Sequence, residues 1–209
     1  MLDQPRWDKL VARLSGHRPE RDIFGRLVTA YSEPHRHYHN LDHIRHCLSE
    51  FDNASALAEY PDEVEFAIWL HDAVYDPKAA DNEVKSALWA AEILKLDGCP
   101  DRMREHVSNL ILVTKHSQAP ANRDAELVVD IDLAILGQPS EVFDAYEKGI
   151  RAEYSWVPMQ LYAEARSRVL LSFLDRPRIY FTSHFEVRYE AQARANLARA
   201  LAALELSAS

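Results

Sequence analysis

Glycine is scarce in this 209-residue chain, with five residues, and strand-like alternation of apolar and polar positions is scarce too. Closely spaced glycine turns and period-two segments mark sandwiches and barrels, so their shortage argues against an all-β architecture. Only two cysteines occur, Cys47 and Cys99, and neither stands in a C-x-x-C pair. That excludes a structural zinc-thiolate knuckle, and it favours a reducing compartment over a disulfide scaffold. No apolar run is long enough to span a bilayer, and the opening "MLDQPRWDKL" lacks a signal-peptide pattern. The expectation is a cytoplasmic protein with no membrane partner. Positive charge is in deficit as well, with 24 Lys and Arg against 33 Asp and Glu and a net charge of −9. Such a surface repels a polyanion, which argues against polymeric nucleic acid as a partner. A small phosphorylated substrate stays compatible if cations or a metal line its pocket, and homo-oligomerisation is left open.

What is present is a chain that is 47 % hydrophobic and long enough for a substantial core. Apolar residues recur at helical spacing in "WDKLVARL", "RDIFGRLVTAY" and "LDHIRHCLSEFDNASALAEY", with Asn40 as a cap for the third. "PDEVEFAIWLHDAVY" predicts a helix from Pro61 to about Tyr75 with an acidic first turn. "NEVKSALWAAEILKLDG" ends near Gly98, and "DRMREHVSNLILVTKH" predicts a helix as far as His116. "ELVVDIDLAIL" has strand-like composition but no neighbouring strand to pair with, so it too is expected to be helical. Helices are expected over "EVFDAYEKGIRAEYSW" after Ser140, from Pro158 through "MQLYAEARSRVLLSFL", and from a capping box "SHFE" through "VRYEAQARANLARALAAL". The fold class is therefore all-α, with nine or ten helices in a single domain spanning 1–209. Its core covers about 20–155, and additional C-terminal helices form an extension over about 156–206.

The ten histidines are unevenly placed. "YHNLDH" sets His39 just before the capped helix and His43 in its first turn, so the two can serve different purposes: a side chain on a helix turn is held rigidly, and one on the adjoining loop can move a proton. His71 and Asp72 follow the apolar run "FAIWL", where an ionised carboxylate is costly unless paired or bound to a cation. Imidazole with carboxylate suits zinc, iron, manganese, cobalt or nickel. "VVDIDLAIL" places Asp130 and Asp132 among apolar residues with little polar face to spare, so at least one is a candidate for a buried cation. Lys115 and His116 close "LVTKH", where they suit a helix C-terminus and equally a phosphate oxygen. Each residue also has an ordinary use, as a packed histidine, a cap or a solvated charge.

Taken together, "YHNLDHI", "HDAVYD" and "DIDLAILG" resemble the HD superfamily of metal-dependent phosphohydrolases, and a compact bacterial group within it. That resemblance runs from about Tyr31 to Asn196 and further takes in "DNE", "TKH" and "IRAEY". It implies an HD-type helical bundle in which His43, His71, Asp72 and Asp132, with Asp130 as the alternative to Asp132, bind one or two divalent ions (Mn, Co, Ni, Fe, Zn or Mg). Asp72 can present two oxygens and so bridge to a second ion, for which Glu83 and His116 are further candidates. "YHNLDHI" is also similar to the start of the cyclic-nucleotide phosphodiesterase domain, which implies that His39 is the proton donor. The longer phosphodiesterases' purine-clamping glutamine region has no counterpart. Water activated by the metal would attack phosphorus in a small phosphorylated metabolite, plausibly a nucleotide. Lys115, His116, Arg151, Tyr154 and Arg176 are the residues expected to touch substrate. The alternatives are a non-catalytic metal-containing regulatory or ligand-binding protein and a di-iron oxygenase on the same scaffold.

Overall fold

A computed structural model describes residues 3–17 and 22–208, with side chains through 206. Among these residues there are ten α-helices, three short 3₁₀ turns and no strand. The chain divides into two compact units, Met1–Ile131 and Asp132–Ser209. No helix among the described residues is long and apolar enough to cross a membrane.

The first unit is built around α4 (Pro61–Leu70), whose residues from Glu63 to Leu70 are all buried. A helix that is apolar nearly all round belongs in the middle of a bundle. It is packed by α1 (Gln4–Ser15), α3 (Leu41–Ala54), α5 (Asn82–Leu96) and α6 (Asp101–Leu112). Trp7 of α1 stacks on Phe66 at 5.5 Å and meets Trp69 edge-on at 5.5 Å. Two carboxylates on this central helix are also buried, and each has cations to match. Glu65 accepts from Arg6 Nε at 2.6 Å and from Arg13 at 3.2 Å. Glu63 accepts from Arg102 and from His106 Nδ1, the latter at 2.6 Å. The helix α2 covers Ile23–Ala30, capped by Asp22; Arg21, where the sequence pattern started it, lies outside the described residues.

Several helices end earlier than their apolar pattern predicts, at Ala54, Leu133 and Glu153 among others, and two of the early ends carry candidate site residues. The helix expected to reach Tyr75 stops at Leu70, because the backbone beyond it finds partners elsewhere. The guanidinium of Arg36 takes the carbonyls of Asp72 and Ala73, and Ser86 Oγ pairs with both the amide and the carbonyl of Val74. Tertiary hydrogen bonds have replaced the helical ladder here. The helix expected to reach His116 stops at Leu112 and tightens into a 3₁₀ turn over Val113–Lys115, where Thr114 Oγ1 donates to the carbonyl of Ile111. His116 then adopts a left-handed conformation with φ of 56°.

The segment "ELVVDIDL" is helical as expected, within α7 (Arg123–Leu133), and a 3₁₀ turn follows over Ala134–Gly137. The division between the two units falls inside α7, at 131/132, whereas the sequence pattern placed the start of the C-terminal extension near 156. The second unit contains α8 (Ser140–Glu153), α9 (Met159–Leu174) and α10 (Ser183–Ala208). α10 packs on α9 and on the 3₁₀ turn, where the approach is so close that a Cβ at Gly137 would sit 2.4 Å from the Cβ of Tyr189. Buried Asn196 of α10 donates to the carbonyls of Leu136 and Gln138, which satisfies the end of that turn. In the same unit Arg166 is buried against Glu147 and Tyr146, donating to the tyrosine oxygen at 2.7 Å.

Candidate metal centre

Asn40 caps α3, its side-chain oxygen accepting from the amide of Asp42 at 2.8 Å. The cap therefore leaves His39 on the preceding loop and puts His43 in the first turn of α3, facing the core with 4 % of its surface exposed. His71 is the C-cap of α4 and is 3 % exposed. Asp72 follows it in the turn and retains 15 % side-chain exposure. The ends of two packed helices thus bring three side chains to one point.

Their polar atoms form a triangle. His43 Nε2 is 3.0 Å from His71 Nε2, and Asp72 Oδ2 is 3.3 Å from the first and 3.1 Å from the second. His71 Nδ1 lies 2.9 Å from the carbonyl of Ile68, which can only accept. Nδ1 therefore carries the proton, and in the neutral ring Nε2 presents a lone pair. A lone pair set 3.1 Å from a carboxylate oxygen is acceptor against acceptor. Three arrangements relieve that: a cation shared by the three atoms, a second proton on His71, or a proton on His43 Nε2 shared between His71 Nε2 and Asp72 Oδ2. Donors held roughly 2.0–2.1 Å from one ion, at tetrahedral or right angles, are about 2.9–3.4 Å apart, and all three edges lie in that range. The Nδ1–H···O=C bond is also the usual way in which a ligating imidazole is oriented. The donor set fits a divalent ion.

Burial pushes the Asp72 carboxyl up. The charges of His71 and His39 and the hydrogen bonds of His43 and His71 outweigh that and hold it well below the ordinary carboxylate range. Positive charge from these histidines favours the ionised Asp72 carboxyl as a cation would. Tyr31, whose hydroxyl donates to the carbonyl of Trp69, is pushed well above its ordinary value by burial and then by the charge of Asp72.

A second grouping shares the two histidines. His43, Cys47, His71 and Asp132 each offer a ligand atom, and these atoms all lie within 4.8 Å of one another. Cys47 is one helical turn beyond His43 on α3, with Sγ 3.7 Å from Nδ1 and 3.8 Å from Nε2 of that ring. Asp132 is near the end of α7 and is half-buried; Asp130 on the same helix is fully buried and is outside the group. A buried His/Cys/His/Asp cluster is thus a candidate site for one divalent ion, which makes a metal-dependent activity available to the chain.

His39 stands at the edge of this cluster. Its ring stacks on Tyr75 at 4.3 Å and lies 5.9 Å from that of His43, with Tyr38 5.0 Å away. The other residues expected to touch substrate have these surroundings. Lys115 Nζ donates to the carbonyl of Ala80 at 2.9 Å, and His116 follows it in the left-handed turn. Glu83 is in the first turn of α5. In the second unit Arg151 donates to the carbonyls of Tyr154 at 2.6 Å and Val157 at 3.1 Å, which ties off the end of α8. The Tyr154 ring is 6.5 Å from those of Trp156 and Tyr162. Arg176 lies over the Phe173 ring at 4.6 Å, and burial lowers its pKa.

Three contributors were missed from sequence. Cys47 was visible in principle, because it is four residues after His43 and so on the same helical face. Arg36 and Tyr75 left no local signal, since their partners come from other segments. Searches of family models, of curated proteins and of solved structures found no match to the chain.

Proposed function

We propose that this protein is a divalent-metal-dependent phosphohydrolase of the HD type, acting on a small phosphorylated metabolite such as a nucleotide. The observation that carries this is the triangle of His43 Nε2, His71 Nε2 and Asp72 Oδ2, with edges of 3.0 to 3.3 Å, beside a histidine on a loop. In this reading His43, His71 and Asp72 hold the ion, with Asp132 and Cys47 as the further donors within reach. A divalent ion supplies Lewis acidity there, lowering the pKa of a water beside it from about 15.7 towards roughly 7 and polarising a phosphoryl oxygen.

The chain's own residues do the rest. Ile68 fixes the His71 tautomer through its carbonyl, so that Nε2 keeps its lone pair. The Asp72 carboxylate stays ionised and adds negative charge opposite the metal. His39 protonates the leaving oxygen, a role imidazole suits because it gains and loses a proton near neutrality. Stacking on Tyr75 limits where that ring can turn.

A screen of nucleoside mono-, di- and triphosphates with Mn²⁺, Co²⁺, Ni²⁺ and Mg²⁺ tests the proposal. Phosphate release that requires metal is expected. Folded, metal-loaded protein with no release on any of them contradicts it. One observation favours a second reading, in which the metal serves structure or regulation: Lys115 and Arg151, expected to bind phosphate, donate to main-chain carbonyls. That reading predicts metal-dependent melting without turnover.

A further inference from the structure

Arg36 lies three residues before His39, and its side chain has no exposed surface. A guanidinium cannot shed its charge, so burying it is costly unless every edge is matched. Here the matching is unusual. Only one partner is a carboxylate, Glu33, at 2.9 Å from Nε. The others are main-chain carbonyls: Nη1 donates to His39 at 3.0 Å and to Asp72 at 2.7 Å, and Nη2 donates to Ala73 at 3.2 Å. The guanidinium also lies over the rings of Tyr31 at 5.1 Å and Tyr75 at 5.4 Å.

Two of the three carbonyls belong to residues of the candidate site, one on the loop before α3 and one on the turn after α4. The same nitrogen binds both, so the loop carrying the proposed acid and the turn carrying a proposed ligand share one anchor. Beyond Leu70 the Val74 amide, which a continuing helix would direct to the Leu70 carbonyl, goes to Ser86 Oγ, so α4 ends and the Asp72 and Ala73 carbonyls are left to the anchor. If the helix continued, the Asp72 carboxylate would leave its place beside the two histidines. We propose that Arg36 is a positioning residue of this centre: by holding the Asp72 and His39 carbonyls it sets the Asp72 carboxylate against His43 and His71. This rests on the metal-centre reading above. Lysine is a poor substitute, because a single ammonium cannot reproduce a planar fork that reaches four acceptors.

The test measures Co²⁺ affinity by competition with a chromophoric chelator, and unfolding midpoints in parallel, for wild type, R36K, R36M, D72N and the double variants R36K/D72N and R36M/D72N. Loss of an orienting partner typically costs about 10- to 100-fold in metal affinity, and that loss is expected for R36M, with R36K in between. Because Arg36 acts through Asp72, the same changes should cost little further affinity in the D72N background. If R36M does not fold, the R36K arm carries the comparison. Wild-type Co²⁺ affinity in folded R36K and R36M, with only the midpoint lowered, would overturn the proposal and leave the metal reading standing. Equal losses in both backgrounds would also overturn it, since Arg36 would then act independently of Asp72. Wild-type protein that binds no Co²⁺ would remove the metal reading and this proposal together.

Discussion

At the start of α4, Glu63 accepts from Arg102 and His106, and buried Asp124 accepts from the amides of Glu59 at 2.6 Å and Tyr60 at 3.0 Å; His106 Nε2 is 3.8 Å from Asp124. At the other end of the same helix, His43, His71 and Asp72 meet with edges of 3.0 to 3.3 Å. Both ends combine histidine with carboxylate at the edge of the core. At the first, each carboxylate faces donors that the chain supplies. At the second, two imidazole nitrogens and a carboxylate oxygen converge on one point, the arrangement a shared cation would take. Residue type alone therefore does not mark a metal site; the direction of the donors does.

The sharpest way to separate the two ends is to remove one group from each. H71A or D72A should abolish tight divalent-metal binding, because either loses a vertex of the triangle; elemental analysis of purified protein checks this. Wild-type metal content in both would dissolve the distinction. Next in size is H39A. It should keep its metal and lose about 10²- to 10⁴-fold in rate, the scale of a positioned acid. The loss should shrink on a nitrophenyl phosphate ester, whose leaving group needs little protonation, and an equal loss on poor and good leaving groups would make His39 an orienting group. At the start of α4, E63A should leave metal content unchanged and lower stability modestly, since it removes the acceptor that Arg102 and His106 share. Urea unfolding measures that, and a metal deficit in E63A would show that the two ends are coupled.

How far these differences were legible in the sequence depends on how local their causes are. The Asn40 cap is a short-range bond, so the separation of His39 from His43 followed from the pattern. The helical state of "ELVVDIDL" followed from the lack of a strand to pair with. The end of α4 did not, because the Val74 amide goes to Ser86, 12 residues on and in another helix, which leaves no periodic trace. Cys47 was read for what two cysteines say about compartment, and its place one turn beyond His43 was passed over. Lys115 suggests a phosphate partner by its charge and place at a helix end, and Arg151 by its charge and its neighbour Tyr154. Their main-chain partners at Ala80, Tyr154 and Val157 depend on loop paths that composition does not encode.

A smaller effect separates the second unit from both ends of α4. Burial raises the Tyr162 phenol to about 12. An unfolded chain loses that proton near pH 10, so the folded state should lose stability as pH rises from about 10 to 12. Spectrophotometric titration should show this phenol ionising late, and ionisation near 10 in folded protein would contradict the assigned burial.

The central claim is that the lone pairs of His43, His71 and Asp72 converge on a divalent ion and not on a proton. Calorimetric titration of metal-stripped, folded protein with Co²⁺ tests it most directly, with H71A and E63A alongside. One or two ions bound per chain, lost in H71A and kept in E63A, is the predicted result. Folded wild-type protein that takes up no Co²⁺, or takes it up equally well without His71, would contradict it.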